Sequence, residues 1–260
     1  MILTIDIGNT TVTLGGVEKT AQGDYTVRFM ARLDTNCSWG VSAYTAGVRE
    51  ILENRRIKAD AFQGAIISSV VPRLVETLRG SAKELLGGEP VIVTAQSDTG
   101  LVVDLPEPEK VGCDRFVDAA WAAAHFPLPV VTVDLGTATT FNVIREGGVF
   151  CGGVIAAGME TGLRALAKRT ALLPEVTPCV PERVIGRNTR ESMLSGAVVG
   201  TAALVDGVVR GIEEELGTEV TLVITGGKAD YVEPLVRHPH TYDPEVLLKG
   251  LALLYEKNRV

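Results

Sequence analysis

The chain lacks the features that mark nucleic-acid-binding, secreted and membrane-spanning proteins. It has no basic block or arginine-rich arm, and its formal net charge of -7 leaves it without the basic face that nucleic acids require. The N-terminus carries no charged segment or cleavage site of a secretory signal. Charges or glycines interrupt the apolar runs before they reach membrane-spanning length. We therefore expect a soluble cytoplasmic protein that binds neither nucleic acid nor membrane.

Cysteine and histidine are also scarce, which argues against thiol and zinc chemistry. The cysteines are scattered, without a Cys-x-x-Cys pair: Cys37, Cys113, Cys151 and Cys179. A disulfide framework is unusual in a cytosolic chain of this size. Two close histidines, His238 and His240, flank a proline and lack the ligand spacing of a zinc site. The chemistry of this chain is expected to come from other side chains.

An acidic, glycine-containing turn occurs twice, about half a chain length apart. The first copy is Asp6-Ile-Gly-Asn-Thr-Thr and the second is Asp134-Leu-Gly-Thr-Ala-Thr-Thr. Each follows a short β-branched run that predicts a buried strand. Gly8 and Gly136 allow the backbone to turn tightly and to approach a ligand closely. The hydroxyl groups and backbone N–H groups of such a turn can hold phosphate oxygens, and the acid can hold a cation.

The repetition distinguishes these turns from common strand ends. A single Asp-x-Gly turn is weak evidence, because its aspartate can simply bond nearby backbone N–H groups. Here each copy is followed by a second predicted strand, over residues 25–32 and 148–155. Duplication at this spacing indicates two related halves rather than a solenoid. Two such turns facing each other would hold the phosphates of a nucleotide from both sides, as in a kinase.

The rest of the chain alternates predicted strands with predicted helices, which is typical of an α/β fold with covered sheets. At 260 residues and 46% hydrophobic content it can form one large domain or two small ones. Helices are predicted over residues 41–56, 74–86, 115–125, 158–170, 193–216 and 245–257. The helix over 193–216 carries small residues at near-helical spacing, which permit close packing in the core or against a second subunit.

Several motifs together resemble type III pantothenate kinases, members of the actin-like, sugar-kinase and heat-shock ATPase fold superfamily. The matching pieces, in chain order, are Asp6-Ile-Gly-Asn-Thr10, Val111-Gly-Cys-Asp-Arg115, Asp134-Leu-Gly-Thr-Ala-Thr-Thr140, Gly152-Gly-Val-Ile155, Asn188-Thr189, Glu191-Ser-Met193, Thr225-Gly-Gly227 and Leu248-Lys-Gly-Leu251. The resemblance covers essentially the whole length. It implies two ribonuclease-H-like domains, residues 1–115 and 116–260, with ATP in the cleft between them.

The resemblance also implies an activity, the ATP-dependent phosphorylation of pantothenate, and a set of site residues. The first acidic turn would bind the ATP phosphates, with Mg²⁺ held at Asp6; its residues are Asp6, Ile7, Gly8, Asn9, Thr10, Thr11, Val12 and Thr13. Pantothenate would be bound by Gly112, Cys113, Asp114 and Arg115. Asp114 would be the general base. Asp134 would hold a monovalent cation, K⁺ or NH₄⁺, and Thr137 would reach ATP. In a homodimer, Thr189 of one subunit would complete the pantothenate site of the other.

Other interpretations of these residues stay open at this point. Asp114 can also cap a helix or pair with Arg115, and Thr189 can be the N-cap of the helix that follows it. The chain departs from the family pattern at Cys113, Ala157 and Leu105, where members often carry alanine, proline and tyrosine. A second functional hypothesis is a catalytically weak relative that binds nucleotide or pantothenate as a regulatory accessory protein. The four residues Asp6, Asp114, Arg115 and Asp134 favour the enzyme.

Overall fold

The computed structural model describes residues 1–259, in which strands and helices alternate along the chain. The strands are β1 (Ile2–Ile7), β2 (Thr11–Lys19), β3 (Tyr25–Asp34), β4 (Gly64–Ser69), β5 (Val91–Ile92), β6 (Val102–Val103), β7 (Val130–Leu135), β8 (Ala138–Arg145), β9 (Val149–Ala157), β10 (Thr221–Thr225) and β11 (His240–Tyr242). The α-helices are α1 (Val41–Asn54), α2 (Pro72–Leu86), α3 (Cys113–His125), α4 (Met159–Arg169), α5 (Thr189–Leu216), α6 (Ala229–Val232) and α7 (Val246–Asn258).

The first compact unit is built on a five-stranded sheet with the order β3-β2-β1-β4-β5. β2 pairs antiparallel with β1 and β3, whereas β4 pairs parallel with β1 and β5. The central strand β1 is buried along its whole length, as its largely β-branched and apolar sequence predicts. Residues of α1 and α2 pack with one face of the sheet in a common core, represented by Leu52, Leu78 and Ile67.

The second compact unit repeats this arrangement in a six-stranded sheet with the order β11-β10-β7-β8-β9-β6. Its antiparallel part is β7-β8-β9, and β10 pairs parallel with β7 as β4 does with β1. The core lies between this sheet and α5, where Val198 and Val205 pack with Val131 and Leu135. The same strand pattern in both units follows the duplication seen in the sequence.

Helix α5 begins four residues before the predicted start at Met193, at Thr189. Its N-cap is Asn188, whose side chain accepts a hydrogen bond from the Glu191 backbone N–H at 2.9 Å. The Glu191 carboxylate in turn accepts from the backbone N–H of Arg187, the residue before the N-cap, in a variant of the capping box. The interpretation of Thr189 as the N-cap is therefore wrong, because Asn188 supplies that oxygen and Thr189 is the first helical residue.

Helix α5 is also long and apolar enough to cross a membrane by length and composition alone. Eight of its residues are buried within the second unit, however, and they include Val198, Val205 and Val209. A helix that buries a continuous stripe against its own sheet has the pattern of a core helix. We interpret α5 as the core helix of the second unit.

The two units are not contiguous in sequence. The first comprises residues 1–101, 106–121 and the part from Glu245 onward, and the second comprises 102–105 and 122–244. This differs from the expected division at residue 115, since the start of α3 and the whole of α7 pack with the first unit. Leu248 of α7 lies against Gly15, and the Tyr255 hydroxyl donates to the Gln63 carbonyl at 3.3 Å. The C-terminal helix thus returns to cover the first sheet.

Candidate active site

The first acidic turn joins β1 to β2 in the first unit. Asp6 lies near the end of β1 and is buried, with 8% of its surface exposed. The Gly8 backbone N–H donates to the Thr11 carbonyl at 3.0 Å, and a side chain on Gly8 would lie against that same oxygen. The Thr35 hydroxyl donates to the Gly8 carbonyl at 2.7 Å and ties the turn to the end of β3. The result is a tight, braced turn directly after a buried carboxylate.

The residues proposed for this turn differ in what they can offer a ligand. Asn9 and Thr10 are exposed, and Thr11 and Thr13 are partly buried. Ile7 and Val12 have fully buried side chains in the core of the first unit, so only their backbone groups can reach a ligand. Thr35 is missed by sequence reasoning, because the hydrogen bond spans 27 residues and no local pattern announces it.

The segment 112–115 lies at the start of α3 in the same unit. The Asp114 carboxylate folds back, so a Cβ on Gly112 would stand only 2.5 Å from Asp114 Oδ1 and 3.2 Å from Val70 Cγ1. Only glycine leaves room for this conformation. Asp114 Oδ1 accepts a hydrogen bond from the Arg115 backbone N–H at 2.9 Å. Asp114 is therefore bonded to the first turn of α3, a contact that does not exclude a chemical role.

Burial sets the electrostatics of this segment. It raises the pKa of the Asp114 carboxyl, an effect opposed by the Arg115 N–H and by the positive charge of the Arg115 guanidinium. Burial likewise lowers the pKa of Arg115. A carboxylate with a raised pKa is a stronger base than an exposed aspartate, which suits it to accept a proton.

Cys113 lies within the electrostatic range of both predicted carboxylates. Burial raises the pKa of its thiol, and the negative charges of Asp114 and then Asp6 raise it further. The thiol donates to the Val93 carbonyl, with an S···O distance of 3.4 Å. Cys113 is thus a protonated packing residue, and its surroundings bring Asp6 and Asp114 into one neighbourhood of the first unit.

The second acidic turn joins β7 to β8 in the second unit. Asp134 is partly buried, and the Gly136 N–H closes the turn on the Ala138 carbonyl at 3.0 Å. Thr137 is exposed. Its carbonyl accepts from the Gly158 N–H at 3.1 Å and from the Thr161 hydroxyl at 2.7 Å. The start of α4 therefore braces this turn, as the end of β3 braces the first.

The loop after β10 packs on the same turn. Gly226 has a positive φ of 105°, and a side chain there would collide with the Asp134 carboxylate and with the Leu135 backbone. The Lys228 N–H donates to the Leu135 carbonyl at 2.9 Å. Lys228 Nζ also contacts Glu160 Oε1 of α4 at 2.6 Å, and this hydrogen bond lowers the pKa of Glu160. Sequence reasoning missed the Lys228–Glu160 pair, which joins the loop after β10 to α4 across 68 residues of sequence.

Thr189 lines a cavity within the second unit. The cavity has a volume of about 830 Å³ and lies between α4 and α5; its lining is mostly apolar and includes Ala157, Met159, Leu163, Leu166, Leu173 and Met193. Thr189 is exposed and contributes to this lining. The predicted residues are thus divided between the units, with Asp6 and Asp114 in the first and Asp134, Thr137 and Thr189 in the second.

Comparison with known proteins identifies the family. A family model described as type III pantothenate kinase matches residues 2–211. The type III pantothenate kinase of Thermomicrobium roseum is 38% identical over 257 residues, which cover 99% of this chain and 97% of the relative. The type III pantothenate kinase of Brevibacillus brevis is 36% identical over 259 residues and is covered completely, as is this chain.

Solved structures agree on the fold. A proposed Baf family transcriptional activator from Campylobacter jejuni superposes with a TM-score of 0.59 at 17% identity, over 98% of both chains. A proposed N-acetylmannosamine kinase from Listeria monocytogenes gives a TM-score of 0.52 at 12% identity, over 100% of this chain and 99% of that one. At these identities the likeness establishes the fold alone, and the predicted two-domain actin-like fold is confirmed. Because the family model and the full-length relatives agree, the chain belongs to the type III pantothenate kinase family.

Proposed function

We propose that this protein transfers the γ-phosphoryl group of ATP to pantothenate, giving 4'-phosphopantothenate in the first step of coenzyme A biosynthesis. Full-length similarity to type III pantothenate kinases supports the reaction. The observation that carries the mechanism is the placement of Asp114, a carboxylate with a burial-raised pKa, in the same neighbourhood as Asp6. The comparisons offer no support for a catalytically weak regulatory relative.

Asp114 is the general base of this proposal. It accepts the proton of the pantothenate primary hydroxyl as that oxygen attacks the γ-phosphorus, and the bond to the ADP oxygen breaks. A positioned base of this kind contributes about 10²–10⁴-fold to the rate. Arg115 offers positive charge for an anionic substrate, and Gly112 and Cys113 offer backbone groups beside it.

Asp6 and the turn through Thr13 bind the ATP phosphates and Mg²⁺. Among the described residues no three His, Cys, Asp or Glu side chains form a metal-binding group. The single carboxylate of Asp6 fits Mg²⁺, because this ion is usually held by one or two carboxylates together with waters and substrate phosphates. When bound, the ion neutralises charge on the triphosphate. The residues of the turn supply the buried carboxylate of Asp6 and the exposed side chains of Asn9 and Thr10.

The second unit supplies the remaining ligands of the proposal. Asp134 holds K⁺ or NH₄⁺, Thr137 contacts ATP, and the loop 225–227 receives the adenosine. Supporting this assignment, Gly226 lets that loop lie directly on Asp134, and Lys228 and Glu160 fix it to α4. The positive φ of Gly226 is a conformation that other residues rarely adopt.

The protein is proposed to act as a cytoplasmic homodimer in which Thr189 of one subunit completes the pantothenate site of the other. The exposed face of α5 supports this arrangement. It carries small residues, Gly196, Gly200, Ala203 and Gly207, and a Cβ on any of the three glycines would meet open space. Such a face lets a second helix approach closely. In the segment between α4 and α5, Leu172 and Ile185 are 90% and 82% exposed.

The test is ADP release by the wild-type protein with Mg²⁺-ATP, with and without pantothenate, in potassium and in sodium buffers. Pantothenate-dependent ADP release that requires potassium is the expected result. ADP release that is independent of pantothenate would contradict the acceptor. Binding of ATP or pantothenate without turnover in any cation would instead favour the regulatory relative. Asp134→Asn is expected to lose the potassium activation while it retains ATP binding.

A further inference from the structure

Ser68 is a wholly buried hydroxyl group at the end of β4 that has no hydrogen-bond partner. Its relative exposure is 0%, and its Oγ contacts no donor or acceptor of the protein. Most buried hydroxyls in proteins are bonded, so an orphaned one calls for a specific explanation. Thr4, another buried hydroxyl in this unit, donates to the Gly15 carbonyl at 3.2 Å, which shows that hydroxyls here can be satisfied.

Ser68 is the register partner of Asp6 in the parallel pairing of β1 with β4. Paired residues on adjacent strands project from the same face of a sheet, and their strands lie about 4.8 Å apart. The unpartnered hydroxyl therefore lies on the face that carries the Asp6 carboxylate. The next residue, Ser69, is different, because its hydroxyl accepts a hydrogen bond from the Val71 N–H at 2.9 Å. Ser69 shapes the entry to α2, whereas Ser68 makes no such contact.

The second unit repeats this juxtaposition. Asp134 of β7 is the register partner of Thr225 of β10, and Thr225 is also buried, at 3% exposure. Each acidic turn thus has a buried hydroxyl residue opposite its aspartate on the neighbouring parallel strand. The repetition argues against a chance position for Ser68.

We infer that Ser68 is a positioning residue for Asp6. Its O–H donates to the Asp6 carboxylate, directly or through one ordered water, when a divalent cation is bound there, and so fixes the direction of the carboxylate oxygens. Carboxylates that bind metals are commonly held by a further hydrogen bond of this kind. The inference rests on the proposed function in one respect, that Asp6 holds a divalent cation with the nucleotide.

The test compares Ser68→Ala with wild type by Mn²⁺ binding in the presence of ADP, followed by electron paramagnetic resonance. We expect Mn²⁺–ADP binding to weaken about 10-fold or more, the usual range for loss of such a hydrogen bond. The Mg²⁺ concentration for half-maximal turnover should rise by the same factor, with the KM for pantothenate unchanged. The unfolding temperature should stay equal or rise, because the substitution removes an unsatisfied polar atom.

Ser81→Ala is the matched control. Ser81 is also a buried serine of the first unit, at 1% exposure, but its hydroxyl accepts a hydrogen bond from Thr45 at 3.2 Å. Its loss should lower the unfolding temperature and leave Mn²⁺–ADP binding unchanged. Ser68→Thr keeps the hydroxyl, as Thr225 does in the second unit, and should retain Mn²⁺–ADP binding.

Wild-type Mn²⁺–ADP affinity in a folded Ser68→Ala protein would overturn the inference, as would an equal loss in Ser81→Ala. These outcomes are separate from a failure of the proposed function. If wild type binds Mn²⁺–ADP but does not phosphorylate pantothenate, the proposed function is wrong. The Mn²⁺ measurement would then still decide the role of Ser68.

Discussion

At the residue scale, the catalytic role proposed for Asp114 opposes stability. Its carboxylate is buried enough to raise its pKa, and it retains one backbone hydrogen bond from Arg115. Asp114→Asn keeps an oxygen for that N–H but removes the charge and the basicity. We expect turnover to fall by about 10²–10⁴-fold. The free energy of unfolding at pH 7 should be equal to or higher than that of wild type. Steady-state kinetics and urea denaturation of both proteins measure these effects, and a variant with near-normal turnover would exclude Asp114 as the base.

The pH dependence of the wild type follows from the same pKa. In the proposed mechanism turnover needs ionised Asp114, so kcat/KM should fall as the pH drops, with a midpoint above the ordinary aspartate value of 3.8. Between 3.8 and the raised pKa, the folded protein keeps a proton that the unfolded chain has released. The contribution of Asp114 to the free energy of unfolding therefore decreases as the pH rises through this interval. Denaturation over a pH series should show this slope in wild type and lose it in Asp114→Asn.

The sequence identifies some of these residues and not others, for a physical reason. Asp6 and Asp134 are marked by a local pattern, a strand followed by an acid, a glycine and hydroxyls. Ser68 has no such local signal, since its relation to Asp6 arises from strand pairing between distant segments. In the sequence, the available hint is the pair of serines, Ser68 and Ser69, that ends a short apolar run. A functional residue that depends on strand pairing between distant segments, as Ser68 does, can be identified only once the fold is known.

At the element scale, the second acidic turn depends on the close approach of α4. A Cβ on Gly158 would stand 2.5 Å from the Thr137 carbonyl oxygen, although its φ of -66° suits any residue. Gly158→Ala should therefore displace the turn and lower the free energy of unfolding by about 1–3 kcal/mol, as overpacking does. Because Thr137 is proposed to contact ATP, the KM for ATP should rise more than the KM for pantothenate.

Gly162→Ala is the control for this substitution. Gly162 lies one turn further along α4, and a Cβ there would meet open space. Alanine in a helix interior should raise the free energy of unfolding by up to about 1 kcal/mol. Thermal denaturation and the KM for ATP, measured for both variants, distinguish the two cases. If the two alanines behaved alike, the close approach of α4 would have no part in forming the turn.

Strands and helices are well predicted where a single apolar pattern runs through them, whereas the residues at which they begin and end are not. The predicted strands at 25–32 and 148–155 correspond to β3 and β9. The sequence predicts the start of α5 at Met193 because the apolar periodicity begins there, whereas the capping box of Asn188 and Glu191 begins the helix at Thr189. Polar capping residues extend a helix beyond its apolar stripe.

At the scale of the whole molecule, α7 shows the limit of reading domains from sequence. The motif Leu248-Lys-Gly-Leu251 is visible in the sequence, but nothing local says which sheet it covers. Gly250 lies so close to the Val117 carbonyl that a Cβ would stand 2.6 Å from it, and Leu248 lies on Gly15. These contacts bring the end of the chain back to the first unit. Duplicated topology could be predicted from the repeated turns, whereas this return depends on side-chain packing between distant segments.

The proposed homodimer, unlike a monomer, predicts that two inactive variants can restore activity when their subunits are mixed. If Thr189 acts on the site of the other subunit, Asp114→Asn and Thr189→Ala chains should complement each other when mixed. A heterodimer would contain one site with wild-type Asp114 and wild-type Thr189, and one site with both defects. Random exchange makes half of the dimers heterodimers, so activity should approach about a quarter of wild type, well above either variant alone.

The experiment mixes the two purified variants under conditions that permit subunit exchange and follows pantothenate-dependent ADP release over time. Reassorted wild-type protein is the positive control, and each variant treated alone is the negative control. If Thr189 acts on the site of its own subunit, every site in a heterodimer keeps one defect and mixing gives no gain beyond the average of the two variants. Size-exclusion chromatography with differently tagged chains confirms that heterodimers have formed. An absence of complementation in confirmed heterodimers would therefore assign Thr189 to its own subunit.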